Sequence, residues 1–305
     1  MTGRGGPPAP ARSPRYTPRV AAIAVTRTRH GPFERIVLAA TEGRKSQLSV
    51  YRVGDLLVDA GGTRVSGALV EALRDDPPRR IVCTHQHEDH AGGAMALRRA
   101  FGDLPVHVPA AHVELLRTFD RVPGYRATAW GDPEPIPDAR GYHGGARFPA
   151  GGATLEAVET PGHTPGHMAL VATVGGESWA LTGDLYVTDR PLTAWYESAA
   201  DDMVRSLRLL AARPGLRALP THGPALEDGG AAFIAVADLV EREADRVRAA
   251  ADRLGTVEPA VLAREIYGPE GPFAERSGGE FSTVAFVRSV LAPVRTLPAA
   301  LPAMG

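Results

Sequence analysis

The stretch Thr84-His85-Gln86-His87-Glu88-Asp89-His90-Ala91-Gly92-Gly93 decides how this chain is read. It holds three histidines and one aspartate within six residues, directly after the apolar run Ile81-Val82-Cys83. Side chains at i and i+2 share a face only on extended chain. The adjacent pair Asp89-His90 can join them only if the chain then turns into a helix. The pattern predicts a buried strand ending near residue 83, a short loop and a helix N-terminus. Gly92 and Gly93 suit a place where backbone passes close to a bound group. Imidazoles with a carboxylate suit zinc and would accept manganese or iron. The stretch therefore reads as part of a two-metal hydrolytic centre. Metal there would ionise water near neutral pH and face a developing oxyanion with positive charge.

The missing ligands must come from elsewhere, and three loops offer them. They are Thr160-Pro161-Gly162-His163-Thr164-Pro165-Gly166-His167, Thr182-Gly183-Asp184 and Thr221-His222-Gly223. With the first stretch, the candidate set is His85, His87, Asp89, His90, His163, Asp184 and His222. Periodicity predicts strands over residues 20–26, 34–40, 47–53, 56–59, 80–83, 106–108, 155–159, 168–174, 178–181 and 216–219. Helices are predicted over 66–74, 94–101, 111–119, 202–212, 230–254, 259–267 and 281–291. The ligand-type residues all fall at strand ends. Strands interleaved with helices then argue an α/β layered sandwich with one catalytic edge.

Residues 122–151 carry five prolines, many glycines and the aromatics Tyr125, Trp130 and Tyr142. They are expected to be irregular and to cover the site. His143 within them, and Tyr186, Arg190 and Trp195 after Asp184, are candidate substrate contacts. Arg190 would receive a carboxylate or phosphate. Cys83, inside an apolar strand, is expected to be a buried, inert thiol.

Together the His85-x-His87-x-Asp89-His90 motif, the 160–167 loop, Gly183-Asp184 and Thr221-His222-Gly223 resemble the metallo-beta-lactamase superfamily over roughly residues 20–225. The resemblance implies a four-layer αββα sandwich with a dinuclear site, zinc being the expected metal and Mn2+ or Fe2+ the alternatives. It implies that His85, His87 and His163 hold one metal and Asp89, His90 and His222 the other, with Asp184 bridging. It further implies a bridging hydroxide as nucleophile, Asp89 as proton relay, and Asp59 as an aspartate that orders the metal loop without ligating. With three histidines on the first metal, His167 is expected to make supporting hydrogen bonds. His87 stands where di-iron flavoproteins of the family carry an acid, and Asp184 where zinc beta-lactamases carry Cys or Ser. The set fits glyoxalase II-like thioesterases, lactonases and ribonuclease-type members better. The expected reaction is hydrolysis of a thioester, or of a lactone or other ester. The alternatives are a phosphodiesterase or endoribonuclease and, from another class, a mononuclear iron persulfide dioxygenase.

Bulk properties narrow the setting. The chain has 305 residues, a formal net charge of -1 and a single cysteine. No intramolecular disulfide is available, which fits the cytoplasm. No apolar run reaches the roughly 18 residues expected of a membrane span. Residues 1–19 read as a disordered leader and 20–236 as the catalytic domain. Residues 237–305 read as a helical, winged-helix-like extension resembling the tail of the endoribonuclease branch. Residues 237–296 hold eight arginines, ten acidic residues and no lysine. That composition argues against a nucleic-acid surface. The expected partner is a small-molecule substrate, with the tail packing on the sandwich, shaping the pocket or mediating a homodimer.

Overall fold

Alternation along the strands sets the layers of this protein, whose computed structural model describes residues 22–41, 47–119 and 122–296. The expected 1–19 leader lies outside the described residues. The first sheet runs β1 (Ile23–His30), β2 (Phe33–Ala40), β3 (Gln47–Val53), β4 (Leu56–Val58), β5 (Arg80–Val82), β6 (Val106–Pro109) and β7 (Arg140–Tyr142), paired in that order. Strands β1 to β4 pair antiparallel, and β4 to β7 parallel. The second sheet holds β8 (Arg147–Ala150), β9 (Ala153–Glu159), β10 (Met168–Val174), β11 (Glu177–Leu181) and β12 (Arg217–Leu219), ordered β12-β11-β10-β9-β8.

Each central strand sends alternate residues to two different cores. In β3, Leu48 and Val50 join Leu69 of α1 (Thr63–Leu73) and Leu97 of α3 (Ala94–Phe101). Tyr51 and Val53 face the other way, toward Leu170 of β10 and Leu181 of β11. The second sheet repeats this. Leu170 and Ala172 point between the sheets, while Ala169 and Val171 pack toward α6 (Ala200–Ala211) and α7 (Gly229–Leu254). Strands buried on both faces can only be the inner layers, so the order is helix, sheet, sheet, helix. This is the expected four-layer αββα sandwich, with further helices at its C-terminal side.

Three expectations need correction. Residues 122–151 are not irregular throughout: they contain α5 (Gly124–Trp130), β7 and β8. Pro123 stands at the N-cap of α5 and Gly131 (φ 87) at its C-cap, so these residues punctuate a helix. The helix expected over 111–119 is a tight turn, Ala110–His112, followed by the short α4 (Val113–Arg117). The boundary placed between residues 236 and 237 falls inside α7, where a linker has no room. Beyond α7 lie α8 (Pro259–Tyr267), α9 (Pro272–Arg276) and α10 (Thr283–Leu291). Among the described residues after 237 there is no strand, so the wing of a winged helix is absent there. The helix α2 (Glu88–Ala91) completes the set.

Candidate metal centre

The metal loop is built on β5, which pairs with β4 on one side and β6 on the other. Beyond Val82 the chain leaves the sheet, turns at His87, the N-cap of α2, and carries Asp89 and His90 on the helix. The strand, loop and helix expected from the 84–93 stretch are all present. Glycine serves a different purpose from the expected one. A Cβ on Gly93 would lie 2.2 Å from the Ala60 carbonyl oxygen, so the close approach is of backbone to backbone, between this loop and the end of β4. Gly93 N–H donates to the Gly61 carbonyl across that contact.

Asp59 joins the same two segments. It has φ 62, and among the described residues it is the one non-glycine in the left-handed region. That turn places its buried carboxylate under the loop. The Thr84 N–H donates to Asp59 Oδ1 at 2.8 Å, and His90 Nδ1 lies 2.8 Å from Oδ2. His90 therefore donates through Nδ1 and turns Nε2 inward.

The other loops close on the same edge. His163 comes from the turn between β9 and β10, Asp184 follows β11, and His222 follows β12. One atom each from His85, His87 and His163 gathers within 4.8 Å, and one each from Asp89, His90, Asp184 and His222 does likewise. Asp184 stands between the groups. Its Oδ1 lies 3.2 Å from His90 Nε2 and 3.7 Å from His222 Nε2, and its Oδ2 lies 3.6 Å from His163 Nε2. The structure thus brings all seven candidates together.

Supporting bonds orient most of the rings. His87 Nε2 donates to Glu197 Oε1 at 2.6 Å, which leaves Nδ1 facing His163 Nε2 at 3.0 Å. His222 Nδ1 donates to the Gln47 carbonyl at 2.9 Å, leaving Nε2 beside Asp89 Oδ2 at 3.1 Å. His85 Nδ1 lies 3.1 Å from the Thr84 hydroxyl. His167 differs, because neither of its nitrogens faces another candidate ligand atom. Its Nε2 accepts the Asp184 N–H at 3.2 Å, and Nδ1 lies 2.9 Å from Thr160 Oγ1. Gly183 (φ 50) makes this possible, since a Cβ there would lie 2.7 Å from both His167 Nε2 and Thr84 Oγ1.

Among the seven candidates, three buried atoms make no well-aligned hydrogen bond: His85 Nε2, and His90 Nε2 and Asp184 Oδ1, which face each other at 3.2 Å. Buried polar atoms are rarely left so without a reason, and a bound cation supplies one. The donor set of imidazole nitrogens and carboxylates fits zinc-type metals. The two groups differ electrostatically. Burial, reinforced by the neighbouring histidines His90 and His87, pushes His85 well below the usual range. Burial likewise lowers His163 to about 3, against the pull of Asp184. In the other group burial opposes charge on His222, but Asp184 and Asp89 outweigh it and raise it to about 9. His90 is raised well above its ordinary value in the same way, by Asp184, Asp59 and Asp89 against burial. Burial works against ionised Asp184 too, yet His222 and His90 hold it well below the usual carboxylate range.

A cavity of about 360 Å³ opens onto this edge, with His87, Asp89, Asp184 and His222 in its wall. Of the four candidate substrate contacts, Trp195 alone lines it. Tyr186 packs its ring 5.7 Å from Phe233 in the core beneath α7. Arg190 is exposed on the loop, and His143 is exposed in the turn between β7 and β8. Several residues here carried no signal in the sequence. Glu197, which holds His87, belongs to no motif. Arg126 is buried, paired with Glu280 and 3.6 Å from Glu88, with its guanidinium 4.7 Å from the Trp195 ring centre. Cys83 is buried, as expected, and burial pushes its thiol well up.

Comparison with known proteins places the chain. The family model of the metallo-beta-lactamase superfamily matches residues 49–222. A hydroxyacylglutathione hydrolase of Nitrosomonas eutropha is 28% identical over 45% of this chain and 44% of its own length. The lactamase-like protein vrtG of Penicillium aethiopicum is 30% identical over 72% of this chain and 68% of its own. An atrochrysone carboxyl ACP thioesterase of Aspergillus fumigatus is 29% identical over 48% of this chain and 29% of its own. The chain thus spans under half the length of two of these relatives. A beta-lactamase domain protein from Burkholderia ambifaria shares the fold, with a TM-score of 0.62 at 16% identity over 91% of this chain and 90% of its own. Two packed sheets, seven ligand-type residues at one edge and a family match across both halves of that edge agree: the chain belongs to the metallo-beta-lactamase superfamily.

Proposed function

We propose that this protein is a dinuclear, zinc-dependent hydrolase that cleaves an acyl thioester, or a related ester, of a small-molecule substrate in the cytoplasm. The observation that carries the reading is the convergence of two buried ligand-type groups with Asp184 between them, in which His85 Nε2, His90 Nε2 and Asp184 Oδ1 make no well-aligned hydrogen bond. His85, His87 and His163 would hold one metal, Asp89, His90 and His222 the second, and Asp184 would bridge. When bound, the metals supply ionised water near neutral pH and positive charge for the oxyanion. The protein's own groups do the rest. Asp59, Glu197, Gln47 and Thr84 fix ring orientations before substrate arrives. Asp89 lines the cavity, so its carboxylate can take a proton there and return it to the leaving group.

Thioester chemistry is supported by similarity to the hydroxyacylglutathione hydrolase and the acyl-carrier-protein thioesterase. The cytoplasmic reading is supported by the one cysteine, which is buried. Among the described residues no helix is long and apolar enough to cross a membrane. The test loads the protein with zinc and offers acyl thioesters, lactones, bis-aryl phosphodiesters and single-stranded RNA, with Asp89→Ala as control. Thioester turnover with two metals per chain is expected. RNA turnover without thioester turnover, or one iron per chain, would overturn the reading. His85→Ala should lose metal, and His167→Ala should keep at least one ion by elemental analysis.

A further inference from the structure

The cavity beside the metal centre is walled mainly by apolar side chains from segments far apart in sequence. Tyr125 and Trp130 come from α5, Trp195 from the loop after β11, Phe273 from α9 and Phe281 from the turn between α9 and α10. Four of these rings form one continuous wall, and Trp130 stands apart beside His222. Tyr125 stacks on Trp195 at 6.5 Å with an interplanar angle of 13°. Trp195 meets Phe281 at 4.8 Å, and Phe281 meets Phe273 at 5.2 Å. Trp195 also stands at 6.0 Å from the His87 ring and 6.2 Å from His163, so the wall begins where the ligand-type residues end.

The charges of this wall are already committed. Among the described lining residues Arg126 is the one arginine, and there is no lysine. Its guanidinium is held by Glu280, lies 3.6 Å from Glu88 and covers Trp195. Tyr125 donates its hydroxyl to the same Glu280. Glu280 thus fastens α5 to the tail and sets the neighbouring Phe281 against Trp195. A substrate carboxylate or phosphate would find no unpaired lysine or arginine in this wall, whereas an apolar group would displace water from aromatic surface.

We infer that the group held beside the metals is an uncharged, apolar acyl chain or aromatic acyl group, and that Phe281 and Trp195 set its preferred size, with Glu280 positioning Phe281. The inference rests on the proposed acyl hydrolase and names its substrate class. Each methylene buried against such a wall raises relative affinity about four-fold. An octanoyl thioester should therefore exceed the acetyl thioester by at least about 100-fold in kcat/KM.

The experiment compares acetyl, butyryl, octanoyl and benzoyl thioesters of one thiol on the zinc-loaded full chain and on Phe281→Ala. The octanoyl-to-acetyl ratio should fall about ten-fold in the variant, a readout that a merely damaged fold would not move because it lowers both rates. In parallel, octanoate and acetate are titrated against the intrinsic tryptophan fluorescence of the wild-type protein. Octanoate should bind at least about 100-fold more tightly. Thioester turnover that favours acetyl, an unchanged ratio in Phe281→Ala, or equal binding of the two acids would overturn the inference. Octanoate binding without turnover of any acyl ester would instead keep the apolar pocket and sink the hydrolase reading.

Discussion

The buried ring of His87 shows what the motif leaves unsaid. Its Nδ1 faces the ligand-type group only because Nε2–H is spent on Glu197 at 2.6 Å. Burial works against charge on Glu197, but the hydrogen bond from His87, with the Arg126 guanidinium nearby, holds its carboxyl far below the usual range. Glu197→Gln should weaken zinc retention by about 10- to 100-fold, measured by competition with a chromophoric chelator. Unchanged retention would mean that packing alone orients the ring. His222 gives a pH prediction for the metal-free protein. Its folded value of about 9 lies above the unfolded value of about 6.5. Its stabilising contribution is then complete below about 6.5 and is lost as pH rises toward 9. Urea unfolding in the presence of chelator should show stability falling across that window, and His222→Gln should flatten the fall. The ligand-type residues were legible because their spacing on strand ends is itself a chemical statement. Glu197 was not, since a lone carboxylate acquires meaning only from the ring it meets in space.

At the scale of elements, α5, β7, β8 and α9 were not legible in the sequence, and α5 shows why. Pro123 and Gly131 mark its two ends, yet among so many prolines they read as signs of irregular chain. What holds the helix is tertiary: Arg126 meets Glu280 of the tail and Glu88 of the metal loop, all three buried. The two ends of this network should differ in cost. Arg126→Met leaves two buried carboxylates without their cation and should destabilise by about 3–5 kcal/mol. Glu280→Gln leaves Arg126 still facing Glu88 and keeps a hydrogen-bonding oxygen, so it should cost less, about 1–3 kcal/mol. Chemical denaturation of the two variants checks the order, and a reversed order would mean that Glu88 does not share the guanidinium charge. Apart from β7 and β8, which fall in the segment read as irregular, the strands were legible for the opposite reason. Each inner strand is apolar on alternate positions facing two cores, a pattern local enough to be read without partners.

For the whole molecule, the catalytic sandwich and its helical tail read as two pieces in sequence, because family motifs end near residue 223 and composition shifts after it. The packing unites them. Helix α7 buries Phe233, Val236, Ala237, Val240, Ala244, Val247 and Ala250 along one continuous stripe. That stripe shares a core with Val171 of β10, Ala180 of β11 and Leu207 of α6 on one side, and with Leu262, Phe286 and Val287 of the last helices on the other. A chain ended after residue 236 would keep only the first two turns of α7 and expose the outer face of the second sheet. It would also lose Glu280 and Phe281, and with them the partner of Arg126 and part of the cavity wall. Losing even one large core side chain costs about 2–5 kcal/mol, while a whole domain is stable by only about 5–15 kcal/mol. The truncated chain should therefore show no cooperative thermal transition and should aggregate on expression, whereas the full chain melts in one step that metal shifts upward. A truncated chain that melts cooperatively and still retains zinc would show that the sandwich folds alone and that the tail is an appended domain. The shared stripe of α7 predicts the first outcome, because the helix that covers the sandwich is the helix on which the tail is built.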